Sequence, residues 1–379
     1  MLDPDVVFLN HGSFGATPRP VFEAYQEWQR RLERQPVDFL VNELPDHLAE
    51  ARQLLGDYIN GGRDDIVYVP NATFALNVIA RSLDLGPGDE VLTTDHEYGA
   101  CNNIWEFLSR KRGFRYKRQA IPFPVASKKA IIDKIMEGVT TQTKVVFLSH
   151  ITSETATRMP VTEICQLASE RGILSVIDGA HAPGQITVDM EEIGADFYFG
   201  NAHKWMCSPK GAGFLFTQPE KQSLIEPLVV GWGWGDDRTL TFGSDYLDYM
   251  QWLGTNDLAA YLSVPTAIEF QEANDWPSVR EECHQLLGEA IEGISTIAGI
   301  PQSYPDSSSY CQMAVARLPI LRDATAFKDH LYKDYRIEIP VIERQHQHFI
   351  RVSIQGYNIR EDVDSLLEAL VALLPGFRA

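Results

Sequence analysis

The chain has 379 residues, 44% hydrophobic and 22% charged, a globular composition too long for one ordinary core, so two domains are expected. Its formal net charge of −19 argues against a nucleic-acid partner, because binding to a phosphate backbone depends on clustered Lys and Arg. No apolar run approaches the ~18 residues of a membrane span, so no membrane partner is expected.

In chain order, the opening "MLDPDVVFLNHG" has neither a basic stretch nor a long apolar one, and a cytoplasmic location is expected. Strand-like and helix-like segments then alternate over the first two thirds. "DDIVYVP" (64–70) is strand-like, and "TFALNVIARSL" (73–83) follows with helical spacing. "DEVLTTD" (89–95) precedes the helical "GACNNIWEFLSRKR" (99–112). "KVVFLSH" (144–150) precedes "VTEICQLASERG" (161–172), where Gly172 reads as the helix stop. "ILSVIDGA" (173–180) and "ADFYFGN" (195–201) continue the series. Continuous apolar strands joined by helices predict a mainly parallel sheet covered on both faces. Ligands gather beyond the carboxyl ends of such strands, which groups His96, His150, Asp178, Asn201, His203 and Lys204 at one rim.

The stretch 229–257 is rich in turn residues, and "LAAYLSVPTAIEFQEA" after it reads as the start of a long helix. In the tail, "SYCQMAVARLP", "RIEIPVIE" and "HFIRVSI" predict a small antiparallel sheet, covered by helices in "ATAFKDHLYKDY" and "EDVDSLLEALVALL". A large α/β domain followed by a smaller α+β domain is expected. The five cysteines (Cys101, Cys165, Cys207, Cys283, Cys311) are scattered and without CxxC spacing, which supports neither a disulfide framework nor a zinc knuckle.

The chemistry centres on "GNAHKWMCSPKGAGF" (200–214), where one of only eleven lysines, Lys204, stands between His203 and Trp205. Lysine is seldom buried, because its ammonium is costly to desolvate. Away from water and near other positive charge the amine loses its proton readily and can condense with an aldehyde. Upstream, "SVIDGAHAPG" (175–184) supplies Asp178 at a strand end and His181 three residues on. Each has a plainer reading: Asp178 as a turn aspartate, His181 as a satisfied core histidine, His96 as a loop histidine, Thr73 as a helix N-cap. Lys210 is a rival lysine with no acidic or imidazole neighbour in sequence. His346 and His348 share a strand face, but no third ligand is in view and no metal is expected.

These segments, with "LNHGSFGATPRPVFEA", "RQPVDFLV", "DHEYGA" and "LSHITS", resemble the class V aminotransferase family through almost the whole chain, its isopenicillin N epimerase-like branch in particular. The resemblance implies the aspartate-aminotransferase-like fold, with a large domain over 16–258 and a small one over 259–379 joined by residues 1–15. It implies pyridoxal 5'-phosphate as cofactor, an amino acid as substrate, and a homodimer with active sites at the interface. Lys204 then carries the cofactor, Asp178 pairs with its pyridine nitrogen and His181 bonds its phenolate oxygen. Ala72, Thr73, Asn201 and His203 hold the phosphate, and Thr255 reaches the phosphate of the neighbouring subunit. His96 stacks on the ring. Ser153, or Thr152 one residue earlier, takes the place of an asparagine of cysteine desulfurases. Arg351 grips the substrate carboxylate, and His11 or His96 faces the substrate from the opposite side.

The favoured reaction is epimerisation at Cα. A C–S lyase, a cysteine-desulfurase-like lyase and an aminotransferase remain open. Desulfurases present a mobile cysteine shortly before the carboxylate arginine, and this chain has none after Cys311. From the residues alone, a metal-dependent hydrolase built on Asp178, His181 and His203 and a non-catalytic member of the family also stay open.

Overall fold

The computed structural model describes residues 1–379. Its strands, in chain order, are β1 (Val7–Phe8), β2 (Ile66–Val69), β3 (Glu90–Thr94), β4 (Arg115–Gln119), β5 (Thr143–Ser149), β6 (Leu174–Asp178), β7 (Phe197–Asn201), β8 (Gly213–Thr217), β9 (Met313–Leu318), β10 (Ile337–Glu338), β11 (Val341–Arg344) and β12 (Gln347–Ser353). The apolar runs assemble into a seven-stranded sheet of order β2-β8-β7-β6-β5-β3-β4. Strand β8 is antiparallel to both neighbours, and every other adjacent pair is parallel.

Both faces of this sheet are covered, as the unbroken apolar strands require. On β6, Val176 packs into a cluster with Leu76 and Trp105, whereas Ile177 packs into the opposite one with Leu48 and Trp205. Each such fully buried aliphatic side chain contributes about 1.5–3 kcal/mol. The helix Val161–Ser169 stops where expected: Gly172 takes φ +66, and Ile173 N–H donates to Ala168 O (3.0 Å). Strand β4, "RYKRQ", has no apolar run and is not legible from pattern. It lies on the sheet edge beside β3, where charged side chains discourage pairing with another chain.

The long helix expected from residue 258 is broken into Ala259–Leu262, Val264–Ala273 and Trp276–Ala298. Pro265 has no N–H with which to continue the first piece. Asp275, in the left-handed region at φ +47, turns the chain before the third. The turn-rich stretch also contains a helix, Asp245–Gln251, capped by Ser244 Oγ, which accepts from Leu247 N–H.

In the tail, β11-β12-β9 form the expected antiparallel sheet. "RIEIPVIE" divides at Pro340: β11 joins that sheet, but β10 pairs in parallel with β1. The amino-terminal strand is thereby tied to the carboxyl-terminal region. Residues 10–15 then run back to the rim of the large sheet, and Asn10 bridges to Ser353. The close approach is made by Gly15, at φ +71, where an added Cβ would lie 2.1 Å from the His203 carbonyl oxygen. No helix is long and apolar enough to cross a membrane. Gly15→Ala is expected to destabilise the fold by about 2–4 kcal/mol, read as a lowered urea midpoint; an unchanged midpoint would mean that this crossing is not tight.

Candidate active site

Strands β2, β3, β5, β6 and β7 run in one direction, so their carboxyl ends open onto one rim. A cavity of about 140 Å³ lies there, with Lys204, Asp178 and His181 in its lining beside Thr73, Tyr98 and Ser153. A larger cavity of about 800 Å³ lies across the segment 15–18 and is lined by Lys210, Trp276 and Tyr357, with no imidazole. The Lys210 amine donates to Gly15 O at 3.0 Å, which makes it a tether for the amino-terminal segment. The smaller cavity holds the chemistry.

Asp178 ends β6 and Lys204 lies in the turn just beyond the adjacent parallel strand β7, so both open onto the same rim. Burial pulls the Lys204 ammonium down from 10.5 to about 8; Asp178 opposes the shift and Arg351 adds to it. Asp178 is 4% exposed. Its Oδ1 accepts from Ala180 N–H (2.8 Å), and its Oδ2 accepts only from the Cys101 thiol at 3.4 Å. Burial raises its pKa, with Ala180 N–H and Lys204 in opposition. His181 Nε2 stands 3.2 Å from Lys204 Nζ, and its Nδ1 accepts from Trp205 Nε1–H at 3.2 Å. Burial first, then the nearby Lys204 and Arg351, hold this imidazole well below the usual histidine range.

At the opposite end, the helix Ala72–Ser82 starts beyond β2 and is capped by Asn71, not by Thr73: Asn71 Oδ1 accepts from Phe74 N–H at 2.9 Å. Asn201 Oδ1 accepts from Ala72 N–H at 2.9 Å. Those two amides are satisfied, and Thr73 stands exposed between them in the lining, beside His203. Such a helix start suits an anion. His203 Nδ1–H donates to Ala212 O at 2.9 Å, and burial lowers the imidazole to about 4. An anion beside Nε2 favours the protonated ring and raises it again.

Arg351, on β12, is 6% exposed and stands just behind the lining. Its Nη1 donates to Ser153 O (2.6 Å), its Nη2 donates to Ser13 Oγ (3.1 Å), and its Nε has no partner. A guanidinium buried with an orphan donor is under-satisfied, as expected of a group that awaits a carboxylate. Ser153 lines the cavity together with Ile151. Thr152 turns away, and its Oγ1 accepts from Thr157 N–H at 2.9 Å.

Two expectations need correction. His96 does not line the cavity: its Nδ1 is 2.8 Å from Thr155 Oγ1, its Nε2–H donates to Ile121 O at 2.9 Å, and the ring is 1% exposed. The aromatic side chain of that loop in the lining is Tyr98, half exposed. It immediately precedes the helix Gly99–Arg112, and that position at a helix start was the available signal. His11 does not face the cavity either. It is fully buried between Tyr357 OH (3.1 Å) and Lys204 O (3.1 Å), and burial lowers it to about 3. The amino-terminal segment instead offers Ser13 and Phe14, both absent from the sequence-based set. Thr255, expected to reach a neighbouring subunit, is exposed and lies outside this chain's own cavity. His346 is fully exposed in the β11–β12 turn, while His348 Nδ1 accepts from Leu321 N–H. No group of three His, Cys, Asp or Glu side chains is arranged to hold a metal.

Folding lowers the Lys204 pKa, so the folded chain bears a penalty for the ammonium that is full below about pH 8 and relieved as pH rises toward 10.5. Lys204→Met is therefore expected to stabilise the cofactor-free protein by roughly 1–3 kcal/mol at neutral pH, with the gain shrinking in urea melts at higher pH. Reductive alkylation of Lys204 by a small aldehyde, followed by mass spectrometry, should accelerate through about pH 8; an inflection at the ordinary lysine value would contradict this environment.

The residues present fit pyridoxal phosphate: an amine for its aldehyde, a buried carboxylate with one oxygen held only by a thiol, and a helix start for its phosphate. The sequence profile of the Aminotransferase class-V family matches residues 7–366. The chain is 33% identical to isopenicillin N epimerase of Amycolatopsis lactamdurans over 98% of this chain and 96% of that protein. It is 28% identical to a probable chloroplastic L-cysteine desulfhydrase of Arabidopsis thaliana over 99% of this chain and 85% of that one. Among solved structures, the cystine C–S lyase C-DES in complex with cysteine persulfide superposes with a TM-score of 0.84 at 20% identity, covering 99% of both chains. This likeness shows the shared fold. The chain belongs to the class V aminotransferase family of pyridoxal-phosphate-dependent enzymes.

Proposed function

We propose that this protein is an amino-acid epimerase that removes and returns the Cα proton of its substrate. The observation that carries the reading is the buried Lys204 amine, ionising near neutrality between Asp178 and His181. A group with a pKa close to the working pH is suited both to take a proton and to give it back. When bound, pyridoxal phosphate supplies an aldehyde that joins to amines and a ring that accepts the electron pair left at Cα. Asp178 would hold a proton at the ring nitrogen, and Thr73, Asn201 and His203 would hold the phosphate. Arg351, behind Ser13 and Ser153, orients the substrate carboxylate and so selects which Cα bond is activated.

Inversion needs a proton carrier on the face away from Lys204. Tyr98 comes from the end of β3, two strands from β6 across the rim, and its half-exposed phenol is the group we assign to that face and to contact with the ring. The neighbouring Cys101 is committed to Asp178. His96 and His11 are excluded from this role by their own hydrogen bonds. The resemblance to an isopenicillin N epimerase over nearly the whole length supports the same reading. A C–S lyase is the second reading, favoured by the desulfhydrase relatives; it uses the same lysine with a leaving group at Cβ. A desulfurase is disfavoured because all five cysteines are buried and none lies between Cys311 and the carboxyl end. The proposal includes a cytoplasmic homodimer, in which the exposed Thr255 reaches the neighbouring cofactor phosphate.

Incubation with amino acids and β-lactam precursors in deuterated water separates the outcomes. Inversion with deuterium at Cα supports the epimerase, whereas pyruvate or sulfide release overturns it in favour of the lyase. With the epimerised substrate, Tyr98→Phe is expected to retain deuterium exchange and lower inversion by about 10²-fold or more; equal loss of both would remove Tyr98 from the second face.

A further inference from the structure

Lys204, Asp178 and His181 account for the chemistry proposed above, but none of them explains the indole that adjoins them. Trp205 is fully buried. Its ring is tilted against His11, with centroids 4.8 Å apart, and passes close to Gly12, where an added Cβ would lie 3.4 Å from the indole. This packing aims Nε1 at His181 Nδ1, 3.2 Å away. An indole N–H can only donate. His181 Nδ1 must therefore present its lone pair, and a neutral imidazole then carries its proton on Nε2. We propose that Trp205 is a positioning residue that locks His181 in the Nε2–H tautomer, so that His181 offers only a donor to whatever occupies the place of the Lys204 amine.

Two consequences follow from the geometry. In the cofactor-free protein, Nε2–H faces Lys204 Nζ at 3.2 Å. A donor opposite an ammonium is repulsive, and a donor opposite a neutral amine is a hydrogen bond, so the lock favours the reactive, unprotonated lysine. In the loaded protein, the same fixed donor would be offered to an acceptor on the cofactor, where a wandering tautomer would at times present a lone pair. A protonated imidazole is excluded as well, because Nδ1–H would oppose the indole N–H. The other titratable or charged groups that act on this pair are Asp178 and Cys101, which favour the ammonium, and Arg351, which opposes it and also acts on His181 together with His11. None of them bonds to His181 Nδ1, where the indole N–H is the one partner, so Trp205 holds the tautomer against the opposite preference of a Lys204 ammonium at Nε2. This inference rests on the reading of Lys204 as the cofactor lysine only for its consequence in the loaded enzyme.

The test is ¹⁵N NMR of the full-length chain labelled in its histidine rings, with His181 assigned by the loss of its signals in His181→Gln. The wild-type protein is expected to show a pyridine-like Nδ1 and a pyrrole-like Nε2 across the neutral pH range, with or without added pyridoxal phosphate. The reverse pattern, or a protonated ring, overturns the proposal without recourse to any variant. In Trp205→Phe the two nitrogens should move toward averaged shifts, and aldehyde modification of Lys204 at neutral pH should slow by about tenfold as its apparent pKa rises by about one unit. An unchanged Nε2–H pattern in that variant, with far-UV circular dichroism retained, also overturns it. Absence of a visible absorption band after loading would sink the cofactor reading and leave the tautomer result standing.

Discussion

The structure depends on keeping an amine out of water without letting it become a permanent ion pair. Asp178 is close enough to act on Lys204, yet it makes no direct bond to it; its oxygens accept from Ala180 N–H and the Cys101 thiol. Burial is the largest influence on the lysine, and the carboxylate opposes it only in part. A direct salt bridge would have returned the amine to its ordinary range and removed its reactivity. Asp178 is fixed by the end of β6, while Lys204 lies in the turn just beyond β7, held where Gly15 packs against its backbone.

Around this centre the chain stores unmet polar capacity. Arg351 is buried with an orphan Nε, and burial lowers its basicity. Glu97, adjacent to Tyr98, is driven up to about 7 by burial even though Ser149 and Thr94 donate to it. Such groups oppose folding, and the two large apolar clusters on the faces of the sheet offset them. The amino-terminal segment closes the arrangement. It is anchored by β1 against β10, crosses the His203–Lys204 backbone at Gly15, and delivers Ser13 to Arg351. The end of the site around Arg351 is thus built by residues more than three hundred positions apart.

The rim residues of β6 and β7 were legible in the sequence, because an apolar strand announces where it ends and a parallel sheet assigns one side to all such ends; His150, placed there by the same rule after β5, is instead buried outside the cavity with its Nδ1 3.0 Å from Tyr198 OH. Asp178, Asn201, His203 and Lys204 needed nothing more. His96 and Tyr98 show the limit of that logic. Both follow β3, two residues apart, and a strand-end rule cannot say which turns inward. The choice was made by Thr155 and the Ile121 carbonyl, which capture the imidazole from distant loops. His11 was likewise taken by Tyr357 and the Lys204 carbonyl. In each case the ring had two hydrogen bonds available from other parts of the chain, and a buried imidazole goes where both nitrogens are satisfied.

By itself, then, the sequence determined the alternation of elements, the sheet class, the family resemblance and the lysine at the rim, because these rest on periodicity and local spacing. Only the tertiary structure decided the cap at Asn71, the place of Ser13 before Arg351, the inward turn of Tyr98 and the indole on His181. Those depend on which donors and acceptors meet across long separations, and no residue carries that information in its immediate neighbours.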